Sequence, residues 1–392
     1  MTTIRGKVEK IVAGGWGLLR TAEGVVFCRN VIPGEEVEVE VEAGGRRSGV
    51  IWAGQVKIIE ASPDREESAC PYFPACGGCD FQHLNYRAEL ALKYEMVRES
   101  LQRLARVSLP VADFDRAFLT LPCRGYRDTV KLRGEGGRLG FYRKRSKKLV
   151  PVENCLIASP RIGEEIGRRG RGRLPRILTI REGNLPAPPE GDNLVAIAEF
   201  PDRVTFQGKK LYFLLGGRTF TVSPTSFFQA NIAATELILN DLKKYLPRAD
   251  RLLDLYAGVG LFSISLAEAY SKVKGLEISR SAIKDFKENA RGDEKIEIEV
   301  WNAEDGLPEE IGRDDLLLLD PPRTGLPPRL REELSQASPR ALAYLSCDPA
   351  TFARDLAQLL EGGYHLEGEI KLYDMFPRTA SVELLAILKK TI

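Results

Sequence analysis

The sequence predicts an α/β protein: a C-terminal doubly wound, Rossmann-like domain, preceded by a small OB-like β-barrel and a central α+β domain. Three observations carry this. Residues 223–392 alternate short apolar runs with helical segments, the grammar of a parallel sheet covered on both faces. Residues 1–62 hold short β-rich runs broken by glycine turns, at the spacing of a small barrel. Residues 63–222 pair a cysteine-rich loop and a helix with a series of extended runs. At 392 residues the chain exceeds one ordinary core, in keeping with such a division.

Taken in order, "IRGKVEKIV", "VVFCR", "EEVEVEVE" and "SGVIWAGQVKIIE" are the barrel strands, punctuated by "AGGWG", "IPGE" and "AGGRR". Barrels of this kind often bind single-stranded nucleic acid, and others are scaffolds. "ASPDREESACPYFPACGGCDFQHLNY" reads as a linker or a metal-organised knot, and "YRAELALKYEMVRESLQRLA" as a helix. "YRDTVKLRG", "RLGFYR", "KLVPV", "NLVAIAEF", "RVTFQG" and "KLYFLLGGRTFTV" read as one antiparallel sheet, interrupted by a helix near Ser159 to Arg169. After "PTSFFQAN" come "IAATELILNDLKKYL", "DRLLDLYAGVGLFSISLAEAY", "KVKGLEIS", "RSAIKDFKENAR", "KIEIEVWNAED", "DLLLLDPPRTGL", "PRLREELSQA" and "ALAYLSCDPATFARDL", strands and helices in alternation. No internal repeat or low-complexity segment is present.

Net charge is only +2, but "CRGYRDTVKLRGEGGRLGFYRKRSKKL" and "RIGEEIGRRGRGRLPRI" are strongly basic, which suits a polyanion or a solvated face. The N-terminus lacks a signal pattern, and no apolar run approaches the ~18 residues of a membrane span. A cytoplasmic, membrane-free monomer is expected. Seven cysteines, several of them clustered, fit metal binding or catalysis better than a disulfide framework.

In "LLDLYAGVGLFSISLA" an apolar strand ends at Asp254, and Gly258 and Gly260 occupy the turn before a helix, where doubly wound sheets bind cofactors. The third glycine of a dinucleotide motif is replaced by Ser263. Glu277 ends the next strand, where it can accept from ribose hydroxyls, and Asn302 ends the one after, beside Glu304 and Asp305. Acids in place of a phosphate cradle suit a nucleoside sulfonium, S-adenosylmethionine. "LLLLDPPRTGL" ends another strand at Asp320 before two stiffening prolines. Arg323 stands where amine methyltransferases carry an aromatic ring, which argues against simple amine chemistry.

Cys70, Cys76 and Cys79 form C-x5-C-x2-C among glycines and prolines, and Cys155 in "VPVENCLI" is the candidate fourth ligand. Four thiolates suit zinc or an iron-sulfur cluster, and the spacing, unlike a zinc ribbon's, favours the cluster. Cys28 and Cys123 read as ordinary buried thiols. Cys347, between a strand end and Asp348-Pro349, could be core filler, a ligand or a nucleophile, and the helix start after it favours a thiolate. Glu383 opens the otherwise apolar "ELLAIL", the mark of a buried acid with a function.

The ordered set "ACPYFPACGGCDFQHLNY", "YRDTVKLRG", "LVPVENCLI", "SFFQAN", "DLYAGVGLFSI", "DPPRTGL", "YLSCDPATFARDL" and "DMFPRTASVELLAIL" resembles the RNA uracil-C5 (5-methyluridine) methyltransferases, in the branch with a TRAM barrel and a [4Fe-4S] cluster. The resemblance runs from about Ile4 to the C-terminus. It implies cluster ligands at Cys70, Cys76, Cys79 and Cys155. S-adenosylmethionine contacts fall on Gln229, Tyr256, Leu261, Glu277, Asn302 and Asp320, the nucleophile on Cys347 and the general base on Glu383. The thiolate adds to carbon 6 of uracil, which makes carbon 5 nucleophilic, and the base removes the carbon-5 proton after methylation. The target base has to be in a loop or flipped out. The TRAM-plus-cluster arrangement points to 23S ribosomal RNA ahead of transfer RNA. One departure stands out: the family's His-Thr-x-His before the base reads "RTAS" here, with Arg378 and Ser381 in place of the histidines. Methyl transfer to an amine or to cytosine, and a non-catalytic RNA-binding or folding factor on the same fold, are the alternatives.

Overall fold

The structure is a computed structural model that describes all residues except 1, 2, 48, 110–117, 119, 120, 171–173, 391 and 392, with the backbone alone for 42–47. The Arg171 to Arg173 part of the second basic run therefore lies outside the described residues.

The N-terminal strands are β1 (Thr3–Lys7), β2 (Lys10–Val12), β3 (Trp16–Thr21), β4 (Gly24–Cys28), β5 (Glu36–Arg47) and β6 (Val50–Glu60), hydrogen-bonded in the order β1-β5-β6-β4-β3-β2. Its two edges, β1 and β2, are successive pieces of one chain with only Val8 and Glu9 between them, so the sheet curls back on itself. Ile4, Leu19, Val26, Val37, Val39 and Ile51 fill the curl. "AGGRR" does not end a strand: β5 runs through it to Arg47, with register shifts against β6 between Val39 and Val41 and again before Arg46. The extra residues are absorbed as bulges, which tighten the curl.

Asn85 caps α1 (Tyr86–Leu104), accepting from the Ala88 amide. The helix buries Leu90, Tyr94, Val97 and Leu101 against the C-terminal domain, although it follows the cysteine loop in sequence. The central antiparallel sheet has the order β12-β11-β10-β7-β8-β9. These are β7 (Thr129–Glu135), β8 (Arg138–Tyr142), β9 (Leu149–Pro151), β10 (Ile177–Glu182), β11 (Leu194–Glu199) and β12 (Val204–Gln207), with α2 (Pro160–Arg169) packed on β10. The inner strand β10, "ILTIRE", is missing from the runs read in the sequence, where charged neighbours on both sides mask it. β13 (Leu211–Leu215) and β14 (Arg218–Val222) are not part of this sheet. They form a separate hairpin whose Leu211, Phe213, Phe220 and Val222 join the C-terminal core.

The C-terminal sheet has the order β17-β16-β15-β18-β19-β22-β20, with β21 also paired to β22. Its strands are β15 (Arg251–Asp254), β16 (Lys272–Glu277), β17 (Ile296–Val300), β18 (Asp315–Leu319), β19 (Ala341–Ser346), β20 (Tyr364–Leu366), β21 (Lys371–Tyr373) and β22 (Glu383–Lys390). The first five in that order are parallel, whereas β22 runs antiparallel to β19, so the sheet is mixed. Leu316 and Leu318 face one core and Leu317 and Leu319 the other. The helices are α3 (Ile232–Tyr245), α4 (Leu261–Leu266), α5 (Arg280–Asn289), α6 (Pro328–Gln336) and α7 (Pro349–Glu361). Strand order reverses at β15, which leaves a crevice between the carboxyl ends of β15 and β18, the place where doubly wound sheets bind ligands. Among the described residues no helix is long and apolar enough to cross a membrane.

Candidate active site

The glycine turn after β15 is fixed by sterics. Gly260 has φ +89°, and a Cβ there would lie 2.5 Å from Ile264 and 2.8 Å from Phe286. Buried Asp254 accepts from Ser263 Oγ at 2.5 Å, and burial raises its pKa to about 6. At the end of β16, Glu277 accepts from the amides of Gly258 (3.0 Å), Ile278 (2.9 Å) and Ser279 (2.7 Å), which locks the turn to the next strand. Tyr256 stacks edge-on to Trp301 with ring centres 6.0 Å apart. Its buried hydroxyl has no hydrogen-bond partner. Leu261 is buried at the start of α4, and Asn302 lies beyond β17, where its side chain caps a short turn through the Glu304 amide.

The chemistry gathers at the ends of β18, β19 and β22. Antiparallel register pairs Ser346 with Leu384, so Cys347, one residue on, comes opposite Glu383, one residue back. Asp320 follows β18 next door and accepts from Gln229 Nε2 at 3.1 Å. Burial and the charge of Asp254 push Asp320 up to about 7. Glu383 is held well above the usual carboxylate range by burial and by Asp320, with Arg323 opposing. Burial and Glu383 likewise push the Cys347 thiol up to about 11, again against Arg323, which also hydrogen-bonds it. Asp348 caps α7 itself, accepting from the amides of Ala350 and Thr351 at 3.0 Å each.

Cys347 opens on a cavity of about 590 Å³ where the three parts of the molecule meet, with Arg127, Lys144, Arg323, Phe376 and Ser381 in its walls. Sequence reasoning named Arg323 only as an argument against amine chemistry. Its signal was its place just past a proline-stiffened turn at the sheet's carboxyl edge. Of the two residues in the histidine positions, Ser381 accepts from Arg323 at 3.3 Å. Arg378, at φ +69°, is engaged elsewhere: it donates to Leu84 O at 2.7 Å and to Cys123 Sγ at 3.6 Å. Cys123 is thus a half-buried acceptor and not core filler, while Cys28 is fully buried.

Cys70, Cys76, Cys79 and Cys155 line one cavity of about 190 Å³, closed by Tyr72, Phe73, Val130 and Phe141. Burial pushes the Cys76 thiol up to about 11 and Cys79 up to about 12. Gly77 brings the loop against the central sheet: its amide donates to Tyr142 O at 3.1 Å, and a Cβ would lie 2.5 Å from that oxygen. Among the described residues no group of three or more His, Cys, Asp or Glu side chains is disposed to hold a metal ion. The four thiols are soft donors of the type that binds zinc or iron-sulfur centres, and Gln82, Arg127, Lys131 and Asn154 share the pocket with its apolar walls.

Fold and site together define a methyltransferase of the α/β class. The Methyltransferase small domain family matches residues 218–343, and the tRNA (Uracil-5-)-methyltransferase family matches residues 313–391, the span that holds Asp320, Cys347 and Glu383. Proteins named uncharacterized RNA methyltransferases, from Streptomyces avermitilis and Aquifex aeolicus, are 34% and 32% identical to this chain. The alignments cover 98% and 97% of it and 97% of each relative. The crystal structure of the Pyrococcus abyssi tRNA (uracil-54, C5)-methyltransferase with S-adenosyl-L-homocysteine superposes with a TM-score of 0.75 at 26% identity, over 98% of this chain and 100% of that one. The chain belongs to the RNA uracil-C5 methyltransferase family and is an S-adenosylmethionine-dependent enzyme.

Proposed function

We propose that the enzyme methylates carbon 5 of one uridine in 23S ribosomal RNA through a covalent adduct to Cys347. The observation that carries the mechanism is the register that sets Cys347 opposite Glu383 beside Asp320. The Cys347 thiol first loses its proton to water in its cavity, and Sγ then adds to carbon 6 of the ring while the electron pair of the 5,6 double bond moves towards carbon 5 and the carbonyl at carbon 4. When bound, S-adenosylmethionine supplies the electrophilic methyl group that ends on carbon 5. Glu383, ionised at that point, takes the carbon-5 proton, the double bond re-forms, and the bond from Sγ to carbon 6 breaks. A base whose carboxyl is raised by burial is the stronger proton acceptor. Asp320, paired with Gln229, orients the cofactor's methionyl end or the uracil edge, and Tyr256, Gly258, Gly260, Leu261, Glu277 and Asn302 line the rest of the cofactor crevice.

Residues 1–62 act on this reading as a TRAM barrel that binds RNA. Cys70, Cys76, Cys79 and Cys155 would hold a [4Fe-4S] cluster, which supplies a structural clip between loop and central sheet. Ribosomal RNA rests on the resemblance of the barrel-plus-cluster arrangement. A transfer RNA substrate is the second reading, favoured by the archaeal structure that spans the whole chain. RNA carrying 5-fluorouridine blocks proton removal and should trap the adduct. No adduct with the wild type, or an undiminished one with Cys347→Ala, would sink the mechanism. Mapping 5-methyluridine in total RNA with and without the gene decides the substrate.

A further inference from the structure

Next to the Cys347 cavity lies a larger groove, about 1180 Å³, that the mechanism does not use. Trp16 and Trp52 project from the barrel into it, edge to face with centres 4.8 Å apart. Across from them stands the basic turn between β8 and β9. Its Arg145 guanidinium lies 3.6 Å from the centre of the Trp52 ring and 5.5 Å from that of Trp16. Both tryptophans are only half-buried and Arg145 is exposed. None of the ion pairs among the described residues involves Arg143, Arg145 or Lys148, so the turn brings three cations to a groove that also holds Glu66 and Glu67.

The groove and the Cys347 cavity share one lining residue. Lys144 lines both cavities, and its ammonium is fastened to Gly14 O at 2.7 Å and to Asp80. Asp80 in turn accepts from the Ala380 amide at 3.1 Å, just before Glu383. The groove thus lies beside the cavity of Cys347, with Lys144 between the two.

We infer that Trp52, with Trp16 behind it, is a stacking site for an unpaired base flanking the target uridine, and that Arg143, Arg145 and Lys148 take the adjoining phosphates. This rests on the RNA reading above. An aromatic face accepts any base, and nearby cations track the backbone, the combination by which proteins hold single strands. The Arg145 guanidinium now covers the Trp52 ring, so an incoming base takes its place there and frees Arg145 for a phosphate.

The test is binding, which does not require methyl transfer. A labelled single-stranded oligouridylate is titrated with the full-length protein, Trp52→Ala, Trp52→Phe and Arg145→Ala. Trp52→Ala should weaken binding about ten-fold, the loss expected when one base loses its ring, and Trp52→Phe should recover most of it. Arg145→Ala should weaken binding a few-fold and flatten its salt dependence. A folded Trp52→Ala that binds as tightly as wild type overturns the site. Should Trp52→Ala fail to fold, an Arg145→Ala with wild-type affinity and salt dependence overturns it instead. The uridine reading is decided separately by the adduct assay, so the two can fail independently.

Discussion

Arg323 donates a hydrogen bond to Ser381 Oγ at 3.3 Å, and from there its charge opposes the acids that act on Cys347. Ser381 occupies one of the family's histidine positions, and its hydroxyl serves as the acceptor that steadies the guanidinium. Arg323→Gln should raise the thiol pKa further and lower kcat/KM at neutral pH by about 10- to 100-fold, with Arg323→Lys intermediate. Thiol alkylation rates followed against pH check this. Identical profiles for wild type and Arg323→Gln would contradict it.

Cys347 itself should behave as a high-pKa thiol in the free enzyme. Its neutral form is favoured by burial and by Glu383 and Asp320, so the thiolate is the minor species at neutral pH and grows as pH rises towards about 11. Alkylation by iodoacetamide, with Cys347→Ala subtracted, should therefore climb about ten-fold per pH unit between roughly pH 7 and pH 10. A plateau reached near neutrality would show a stabilised thiolate and defeat this expectation.

Sequence alone made the site legible wherever one residue type ends an apolar run. Asp254, Glu277, Asp320 and Cys347 all lie at strand ends of the C-terminal sheet, and the alternation of strands and helices implies where such ends converge. What could not be read was packing between distant segments. β10 is flanked by charged residues, and only its pairing with β7 and β11 reveals it as an inner strand. The β13 and β14 hairpin reads like its predecessors, yet its buried face matches the C-terminal core. The electrostatics were hidden for the same reason: Asp348 reads as a helix start that could activate Cys347, but only in the folded chain is its carboxylate seen to take the amides of Ala350 and Thr351.

Lys93 has no exposure and lies 2.7 Å from both Glu89 Oε1 and Asp374 Oδ1, with Tyr86 donating to Asp374 at 2.8 Å. The cluster ties α1 to the loop that leads to Glu383, because Glu89 also accepts from the Arg378 amide at 2.6 Å. Lys93→Met leaves two buried acids without their shared cation, a defect that costs about 3–5 kcal/mol. Chemical denaturation should show a loss of that order. Glu89→Gln combined with Lys93→Met should recover part of it, since one uncompensated charge is then removed. A single variant as stable as wild type would show that the ammonium is dispensable.

The cysteine cavity makes the last prediction, because its loop reaches the catalytic segment in two steps. Cys79 accepts from Gln82 Nε2 at 3.6 Å, and the next two amides, Asp80 and Phe81, both donate to Arg378 O, at 2.8 and 3.1 Å. Burial opposes ionisation of Cys76, Cys79 and Cys155, so a bound metal centre would be what holds them as thiolates. If the four thiols hold a cluster, Cys155→Ser, which removes the thiol of the central domain, should cost bound iron and lower the yield of folded protein before it changes chemistry. Stripping iron from the wild type with a chelator should lower Tm and speed proteolysis of the loop between Cys70 and Asp80. Retained Tm in an iron-free Cys155→Ser protein that has lost turnover but keeps RNA affinity would instead make the centre part of the chemistry. If protein purified without oxygen carries no iron, the four thiols are a structural pocket and the clip lies in the Asp80 to Arg378 contacts alone.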